Sequence, residues 1–315
     1  MGIPNINFKL SAISAAIAFA FIAPSVSALQ ITAEVNYSID SGAVVTDIDG
    51  PAAGGSVDVI DSVTTADSNV FYHTYGDSTG NFGSRVSGEG VYDIVGTFTY
   101  TDTVTNNTGA DQSYDFDFTV TAGELGASID TAAGAGEFTA ASYTIDILLN
   151  GVTIWDSAAQ VYADNTGATF TETGTNSLNG NVFNTADGVK YDWSAYSDTL
   201  DLGVLADGEF FNIEYILTAN ASGSMLPGTT CSGLGGFEGQ NVELIDGVAV
   251  DGFEGEFGGI PCGSIARSGD PFGFGNTNFA NITSSPVNNV PEPGSLALLG
   301  LGLAGAVATR RRKKK

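Results

Sequence analysis

Two aspartates near the start of the chain have the spacing of metal ligands. The stretch Asp47-Ile48-Asp49-Gly50 matches the middle of a calcium loop, D-x-D-x-D-G, whose alternate carboxylates bind the ion. Val45 stands where the first aspartate of such a loop would be. The stretch therefore predicts calcium binding by Asp47 and Asp49, or simply an acidic turn without a metal.

Catalytic chemistry that needs histidine rests on a single residue, His73. One histidine excludes an H-E-x-x-H zinc site and any centre made of several histidines. The residues around His73 predict a strand, so we interpret it as structural. Glycoside hydrolysis needs only two carboxylates, and the sequence alone cannot choose a pair. We therefore predict no catalytic residue and no enzyme activity, with a secreted polysaccharide hydrolase as the weakest alternative.

Acidic residues dominate the charge of the chain. Residues 29–290 hold 35 of the 36 acidic residues but only three of the ten basic ones, so their formal charge is near −32. The three basic residues are Arg85, Lys190 and Arg267. A surface of this charge repels nucleic acid and anionic lipid, so neither is expected as a partner. A surface of this charge suits a soluble extracellular protein, because molecules of like charge repel one another. Its carboxylates could also attract divalent cations.

The first 28 residues have the organisation of a secretory signal peptide. Lys9 supplies the positive charge, residues 10–23 are apolar, and Val26-Ser27-Ala28 resembles a signal cleavage site. The sequence therefore predicts export with removal of residues 1–28. An N-terminal membrane anchor that is never cleaved is the alternative.

The two cysteines, Cys231 and Cys262, are the only ones in the chain. In an exported protein two cysteines most simply form one disulfide. Closing this loop would stabilise the fold by about 3 to 4 kcal/mol in the chain-entropy view. Two free thiols are the alternative, and a zinc site is disfavoured because His73 is the only histidine and the chain has no further cysteine.

Alternating apolar and polar residues predict β-strands throughout the body, and no segment sustains a helical period for more than two or three turns. Residues 29–39 alternate without a break, and residues 40–56 predict a loop with Gly and Pro at its end. Residues 95–104 and 114–120 predict a hairpin with an aromatic inner face. Two more strands are predicted at 200–204 and 211–217.

A second hairpin is predicted around Asn150-Gly151, a dipeptide suited to a type I′ turn. A two-residue turn pairs Leu149 with Val152 and Ile147 with Ile154. This register places Trp155 on the opposite face of the hairpin. There it could pack between two sheets or, if exposed, stack on a sugar ring.

These patterns predict an all-β body at residues 29–280, built as an antiparallel β-sandwich of immunoglobulin-like or jelly-roll-like form. Residues 232–275 are rich in glycine and predict a loop-rich region. Residues 281–290 are polar and predict a linker to the C-terminal tail at 291–315.

The C-terminal tail places Pro-Glu-Pro before an apolar run, 296–308, and six basic residues. The 15 uncharged residues from Ser295 to Thr309 would span about 22 Å as a helix, less than the roughly 30 Å hydrocarbon core of a bilayer. Such a helix would be a poor permanent anchor. The basic end predicts a transmembrane sorting helix whose C-terminus stays in the cytoplasm. This order resembles the PEP-CTERM sorting signal of Gram-negative bacteria, and the residues that carry the resemblance are Pro291, Glu292, Pro293, Arg310, Arg311 and Arg312.

The resemblance covers the C-terminal tail only. It implies recognition and processing by an exosortase, export to the cell envelope, surface or medium, and membrane contact only through the C-terminal helix. It also implies that the protein belongs to a bacterium that makes exopolysaccharide. The expected function is a non-enzymatic surface or extracellular-matrix protein associated with exopolysaccharide or biofilm, and the alternative is a carbohydrate-binding or adhesive module. No cofactor is expected, apart from calcium at the site above.

Overall fold

The computed structural model describes residues 26–27, 29–129, 133–184, 188–225, 263–269 and 277–287, and these form β-strands without any helix. The strands are β1 (Val26–Ser27), β2 (Gln30–Ile39), β3 (Val45–Ala52), β4 (Ser56–Thr64), β5 (Asn69–Asp77), β6 (Asn81–Glu89), β7 (Val91–Thr105), β8 (Gln112–Val120), β9 (Gly123–Ser128), β10 (Phe138–Leu149), β11 (Val152–Asp164), β12 (Gly167–Thr173), β13 (Asn181–Asn184), β14 (Gly188–Trp193), β15 (Tyr196–Leu205), β16 (Phe210–Ser224), β17 (Gly263–Ser268) and β18 (Asn278–Pro286).

The strands form two antiparallel sheets. The eight-stranded sheet has the order β12-β11-β10-β16-β7-β2-β3, and β1 also pairs with β7. The ten-stranded sheet has the order β13-β14-β9-β17-β6-β18-β8-β15, and β5 extends it from β6 to β4. In the ten-stranded sheet, β17 lies between β6 and β9, while β18 lies between β6 and β8. The predicted all-β body with antiparallel sheets is confirmed, and its strands exceed the roughly seven to nine of an immunoglobulin domain.

The two sheets pack against each other through aromatic side chains. Phe82 of the ten-stranded sheet stacks on Phe98 of the eight-stranded sheet, with ring centroids 4.6 Å apart, and meets the ring of Tyr215 edge-on at 4.7 Å. Phe118 and Trp155 make a similar edge contact at 4.9 Å. These rings belong to one continuous cluster of buried apolar residues. Side chains at every second position of a strand point to the same side of the sheet. The apolar residues that alternate with polar ones along each strand therefore form the inner face.

The strands predicted at 95–104 and 114–120 exist, but they do not pair with each other. They lie in β7 and β8, which belong to opposite sheets. The connection between them is held by the buried Asn106, whose side-chain amide donates hydrogen bonds to the carbonyl oxygens of Ala110 and Leu205, each at 2.8 Å. The hairpin prediction is therefore wrong. Both strands have an aromatic inner face because each faces the opposite sheet.

The hairpin at Asn150-Gly151 is confirmed, with φ of 52° and 78° at the two turn residues. Leu149 pairs with Val152 as predicted, but Ile147 pairs with Trp155 rather than with Ile154. A β-bulge causes the shift, because one extra residue on a strand reverses the faces of the residues that follow. Trp155 therefore lies on the inner face and is buried between the sheets. Of its two predicted roles, packing between the sheets is the one that the structure shows.

Three other predictions change where the structure shows extra strands. Residues 40–56, predicted as a loop, contain β3, which pairs with β2. Residues 281–286, predicted as part of a linker, continue β18 and pair with β8. The predicted loop-rich region contains β17. In each case a polar or glycine-containing stretch gains ladder hydrogen bonds from a neighbouring strand, which a local pattern does not reveal.

Several predicted features lie outside the described residues. They are residues 1–25 of the signal peptide, both cysteines of the predicted disulfide, and the whole tail from 291 to 315 with its predicted helix. Where the structure does describe the chain, it contains no helix with the length and hydrophobicity needed to cross a membrane. The disulfide and the transmembrane helix stay predictions.

Candidate functional site

All three basic residues of the body lie on the ten-stranded sheet. Arg85 is on β6, Lys190 on β14 and Arg267 on β17. Cross-strand pairing aligns His73 with Arg85, Arg85 with Arg267, and Arg267 with Glu124 of β9. Phe82 of β6 points inward onto Phe98, so Arg85, three positions later, points to the outer face. The row of charged residues therefore crosses four adjacent strands on the outer face of this sheet.

Glu124 is the centre of this charged row. Its Oε2 accepts from Lys190 Nζ at 3.0 Å, and its Oε1 lies 3.0 Å from Arg267 Nε. Lys190 Nζ is also 3.7 Å from Asp192 Oδ2. The Glu124 side chain is only 10% exposed. Lys190 and Arg267 therefore share one poorly hydrated carboxylate, and removing a partner from such an ion pair is strongly destabilising.

His73 lies at the end of the same row, on β5 as predicted. Its Nε2 is 2.8 Å from Asp58 Oδ1, so the two form an ion pair when the imidazole is protonated. The imidazole is buried, whereas the Asp58 carboxylate is more than half exposed. On β6, the guanidinium of Arg85 lies 5.2 Å from the centre of the Phe71 ring, a cation–π contact. The surroundings of His73 and Arg85 are therefore aromatic and poorly hydrated.

The connection between β5 and β6 contains a short glycine and serine motif. Gly76-Asp77-Ser78-Thr79-Gly80 has the spacing G-x-S-x-G of a hydrolase nucleophile elbow, which requires a turn from a strand into a helix. Here the stretch joins β5 to β6, and Asp77 Oδ1 accepts hydrogen bonds from the N–H and hydroxyl of Thr79. Burial would raise the pKa of Asp77, but the hydrogen bonds from Thr79 and Asn81 outweigh it and lower the pKa. The motif is thus a capped β-turn between two strands.

The two candidate calcium ligands lie on β3, an edge strand, rather than in a loop. Asp47 Oδ2 accepts from the Tyr72 hydroxyl at 3.5 Å, and Asp49 Oδ2 accepts from the Asp58 N–H at 2.9 Å. Burial, followed by the neighbouring Asp61 carboxylate, raises the pKa of Tyr72. Within the described ranges, no group of three or more His, Cys, Asp or Glu side chains is arranged to hold a metal ion.

Aromatic side chains able to stack on sugars are mostly inside the body. Trp155 and Trp193 are both buried, and Trp193 Nε1 donates a hydrogen bond to the carbonyl oxygen of Thr121 at 2.9 Å. All eleven tyrosines are buried or half-buried. Phe183 on β13 and Phe210 on β16 are exposed, but they belong to different sheets. The described surface thus presents no row of exposed Trp and Tyr.

The outer face of the eight-stranded sheet carries a patch of threonines that no sequence motif indicates. Three of them alternate along β7 with buried Phe98 and Tyr100. Cross-strand neighbours on β2 and β16, and one further residue on β10, extend the patch. We call it the threonine patch, and its members are Thr32, Thr97, Thr99, Thr101, Thr144 and Thr218. Each hydroxyl can donate and accept a hydrogen bond, so the patch is largely polar, and Ile216, which lies opposite Thr99, adds one apolar side chain to it.

Comparison with known proteins identifies the tail. Residues 289–313 match the family described as the PEP-CTERM protein-sorting motif, and these residues include Pro291, Glu292, Pro293 and Arg310 to Arg312. No curated protein matches the chain. The match agrees with the order of Pro-Glu-Pro, apolar run and basic end. The chain therefore carries the PEP-CTERM protein-sorting motif at its C-terminal end, which marks it as a protein exported to the cell envelope or surface.

Proposed function

We propose that this protein is a non-enzymatic component of the bacterial surface or extracellular matrix, associated with exopolysaccharide and processed by an exosortase. The sorting motif at 289–313 is the observation that carries the proposal. It is joined to an all-β body whose formal charge is near −32, as counted above. A net charge this far from zero keeps such a body soluble, because like-charged molecules repel one another.

The internal position of the aromatic residues supports a structural role. Trp155 and Trp193 strengthen the contact between the sheets instead of lining a surface for sugar rings. The charged row on the outer face uses its carboxylate, Glu124, to hold two cations. These contacts stabilise the fold and leave the aromatic side chains in its interior, in keeping with a structural role.

A carbohydrate-binding or adhesive module is the second candidate, and the threonine patch favours it. The patch lies on one face of the eight-stranded sheet, and neighbouring strands in a sheet are about 4.8 Å apart. Thr97 and Thr101 each lie opposite a glutamate, Glu34 and Glu214 respectively, so carboxylates border the hydroxyls. Hydroxyl and carboxylate groups in such rows could bind an extended polysaccharide, directly or through calcium.

The test incubates purified secreted protein with exopolysaccharide from the producing strain, with calcium or with a chelator. As a matrix component, the protein should stiffen the polysaccharide, measured as its storage modulus, and leave the polymer length unchanged. Shortening of the polymer would contradict the proposal, because it would show hydrolysis. An unchanged storage modulus at saturating protein would contradict it as well.

Retention of the protein on the same polysaccharide separates the two candidates. The Thr97→Val/Thr99→Val/Thr101→Val variant removes hydroxyls while keeping side-chain shape. Its matched control is Thr119→Val/Thr199→Val on the ten-stranded sheet. Loss of retention in the first variant alone would establish the binding module in place of the purely structural role. Equal behaviour of the two variants would exclude the threonine patch as a binding site.

A further inference from the structure

The end of β18 lies at one pole of the body, where the connection between β7 and β8 meets it. The N–H of Val287, directly after β18, donates a hydrogen bond to the carbonyl oxygen of Asp111 at 3.1 Å. In the same connection, the Asn106 N–H donates to the carbonyl oxygen of Glu209 at 2.9 Å, in the turn between β15 and β16. The end of β18 and the turn between β15 and β16 are therefore held together at this pole.

The turn between β10 and β11 lies at the same pole. The Asn150 N–H donates to the carbonyl oxygen of Asn212 at 2.8 Å, and the Asn212 N–H donates to the side-chain oxygen of Asn150 at 2.9 Å. Asn212 comes two residues after Phe210, the first residue of β16. We call this end of the body the exit pole, and it comprises residues 106–111, 150–154, 204–212 and 286–287.

Four large apolar side chains of the exit pole are exposed, namely Val152, Ile154, Val204 and Phe210. Phe210 is 61% exposed, more than any other phenylalanine that the structure describes. Single exposed apolar residues are common on protein surfaces, but several at one site mark contact with a partner or a membrane. The exit pole therefore has the composition of a contact surface.

The length of the chain beyond β18 determines what the exit pole faces. The uncharged run of the tail begins at Ser295, eight residues after Val287, and eight residues can span at most about 28 Å. β16 has 15 residues, so the body is about 50 Å long in the direction of that strand. With the tail inserted in a bilayer, the exit pole is therefore the end of the body that is held next to the membrane.

The charges of the exit pole select the class of lipid. Asp111, Asp207 and Glu209 are exposed there, and the residues of the exit pole include no lysine or arginine. Carboxylates repel anionic lipid headgroups, whereas they attract the ammonium groups of zwitterionic headgroups. A zwitterionic phospholipid surface therefore matches both the apolar side chains and the carboxylates.

We propose that the exit pole docks on the surface of a zwitterionic phospholipid bilayer. Its apolar side chains, Phe210 above all, lie below the headgroups, and its three exposed carboxylates face the ammonium groups. Burial of apolar surface at the interface favours this docking, and the short tether raises the effective concentration of the pole at the membrane. The inference rests on the sorting tail of the proposed function and adds a membrane contact made by the body itself.

Tryptophan fluorescence from the Phe210→Trp variant tests the docking. The full chain, with its tail, is reconstituted in vesicles of phosphatidylcholine and phosphatidylethanolamine whose acyl chains carry bromine, a short-range quencher of indole fluorescence. The matched control is Phe183→Trp, at an exposed phenylalanine of the edge strand β13. Trp155 and Trp193 are buried and give the same background in both variants. We expect blue-shifted, quenched emission from Phe210→Trp and unchanged emission from Phe183→Trp.

Flotation of the same vesicles separates the outcomes. Protein that floats without quenching of Phe210→Trp, or with equal quenching in both variants, would overturn docking through the exit pole and leave the sorting tail intact. Protein that does not float would overturn both the docking and the membrane tail of the proposed function. Replacing phosphatidylcholine with anionic phosphatidylglycerol should weaken the quenching, because the carboxylates of the exit pole are then repelled. Loss of tail processing in Phe210→Ser without any lipid quenching would overturn the proposal and assign the exit pole to the exosortase.

Discussion

Deletion of residues 289–315 is expected to remove nearly all of the protein from the cell surface while leaving its export intact. The predicted signal peptide and the sorting motif lie at opposite ends of the chain, so loss of the tail leaves the predicted N-terminal signal unchanged. The last described strand, β18, ends at Pro286, and the N–H of Val287 donates to the carbonyl oxygen of Asp111. The deletion therefore removes none of the strands that the structure describes. Fractionation into surface, periplasmic and released protein measures the effect.

A smaller change should give the same redistribution if the motif itself is recognised. The variant Pro291→Ala/Glu292→Gln/Pro293→Ala keeps the length of the tail and its basic end. Substitution of Asn288 by alanine, just before the matched residues, is the control and should leave surface protein unchanged. Full surface display of the truncated chain would mean that the tail is not the sorting signal.

Replacement of Phe118 by alanine should cause the largest loss of stability among single changes in the core. Phe118 is 1% exposed, and its ring contacts those of Trp155, Tyr196 and Tyr215. Removing a buried phenylalanine costs about 3 to 5 kcal/mol, because the cavity left behind does not close completely. Urea unfolding of the secreted protein, followed by tryptophan fluorescence, measures the free energy of unfolding.

Phe183→Ala is the matched control for this prediction. Phe183 is 51% exposed on the edge strand β13, so its loss should change the free energy of unfolding by less than about 0.5 kcal/mol. Equal destabilisation by the two variants would contradict the packing of the two sheets through Phe118.

The sequence predicted which residues of a strand point inward better than it predicted strand partners. Alternation at 98–104 and 114–120 follows from the period of two that every half-buried strand has. Nothing in these residues shows that β7 and β8 lie in opposite sheets, because that depends on distant partners such as β16 and β18. The displaced Trp155 shows the same limit, since a single bulge reversed its face.

The charged row could not be predicted for a related reason. His73, Arg85, Glu124 and Arg267 are spread over nearly 200 residues, and only strand pairing aligns them. The composition shows the excess of acidic over basic residues, but it does not show where in the fold the three basic residues lie. In the structure all three lie on the outer face of the ten-stranded sheet. The sorting tail was predictable because its signal is local and contiguous.

Peptide mapping of the surface-bound protein tests whether the chain is processed at both ends. We expect the first residue to be Leu29 and the basic residues Arg310 to Lys315 to be absent. Removal of residues 1–28 also removes β1, but β2 keeps its pairing with β7 from Gln30 to Ile39. Surface protein that still carries Met1 to Ala28 and the intact basic tail would contradict export with exosortase processing.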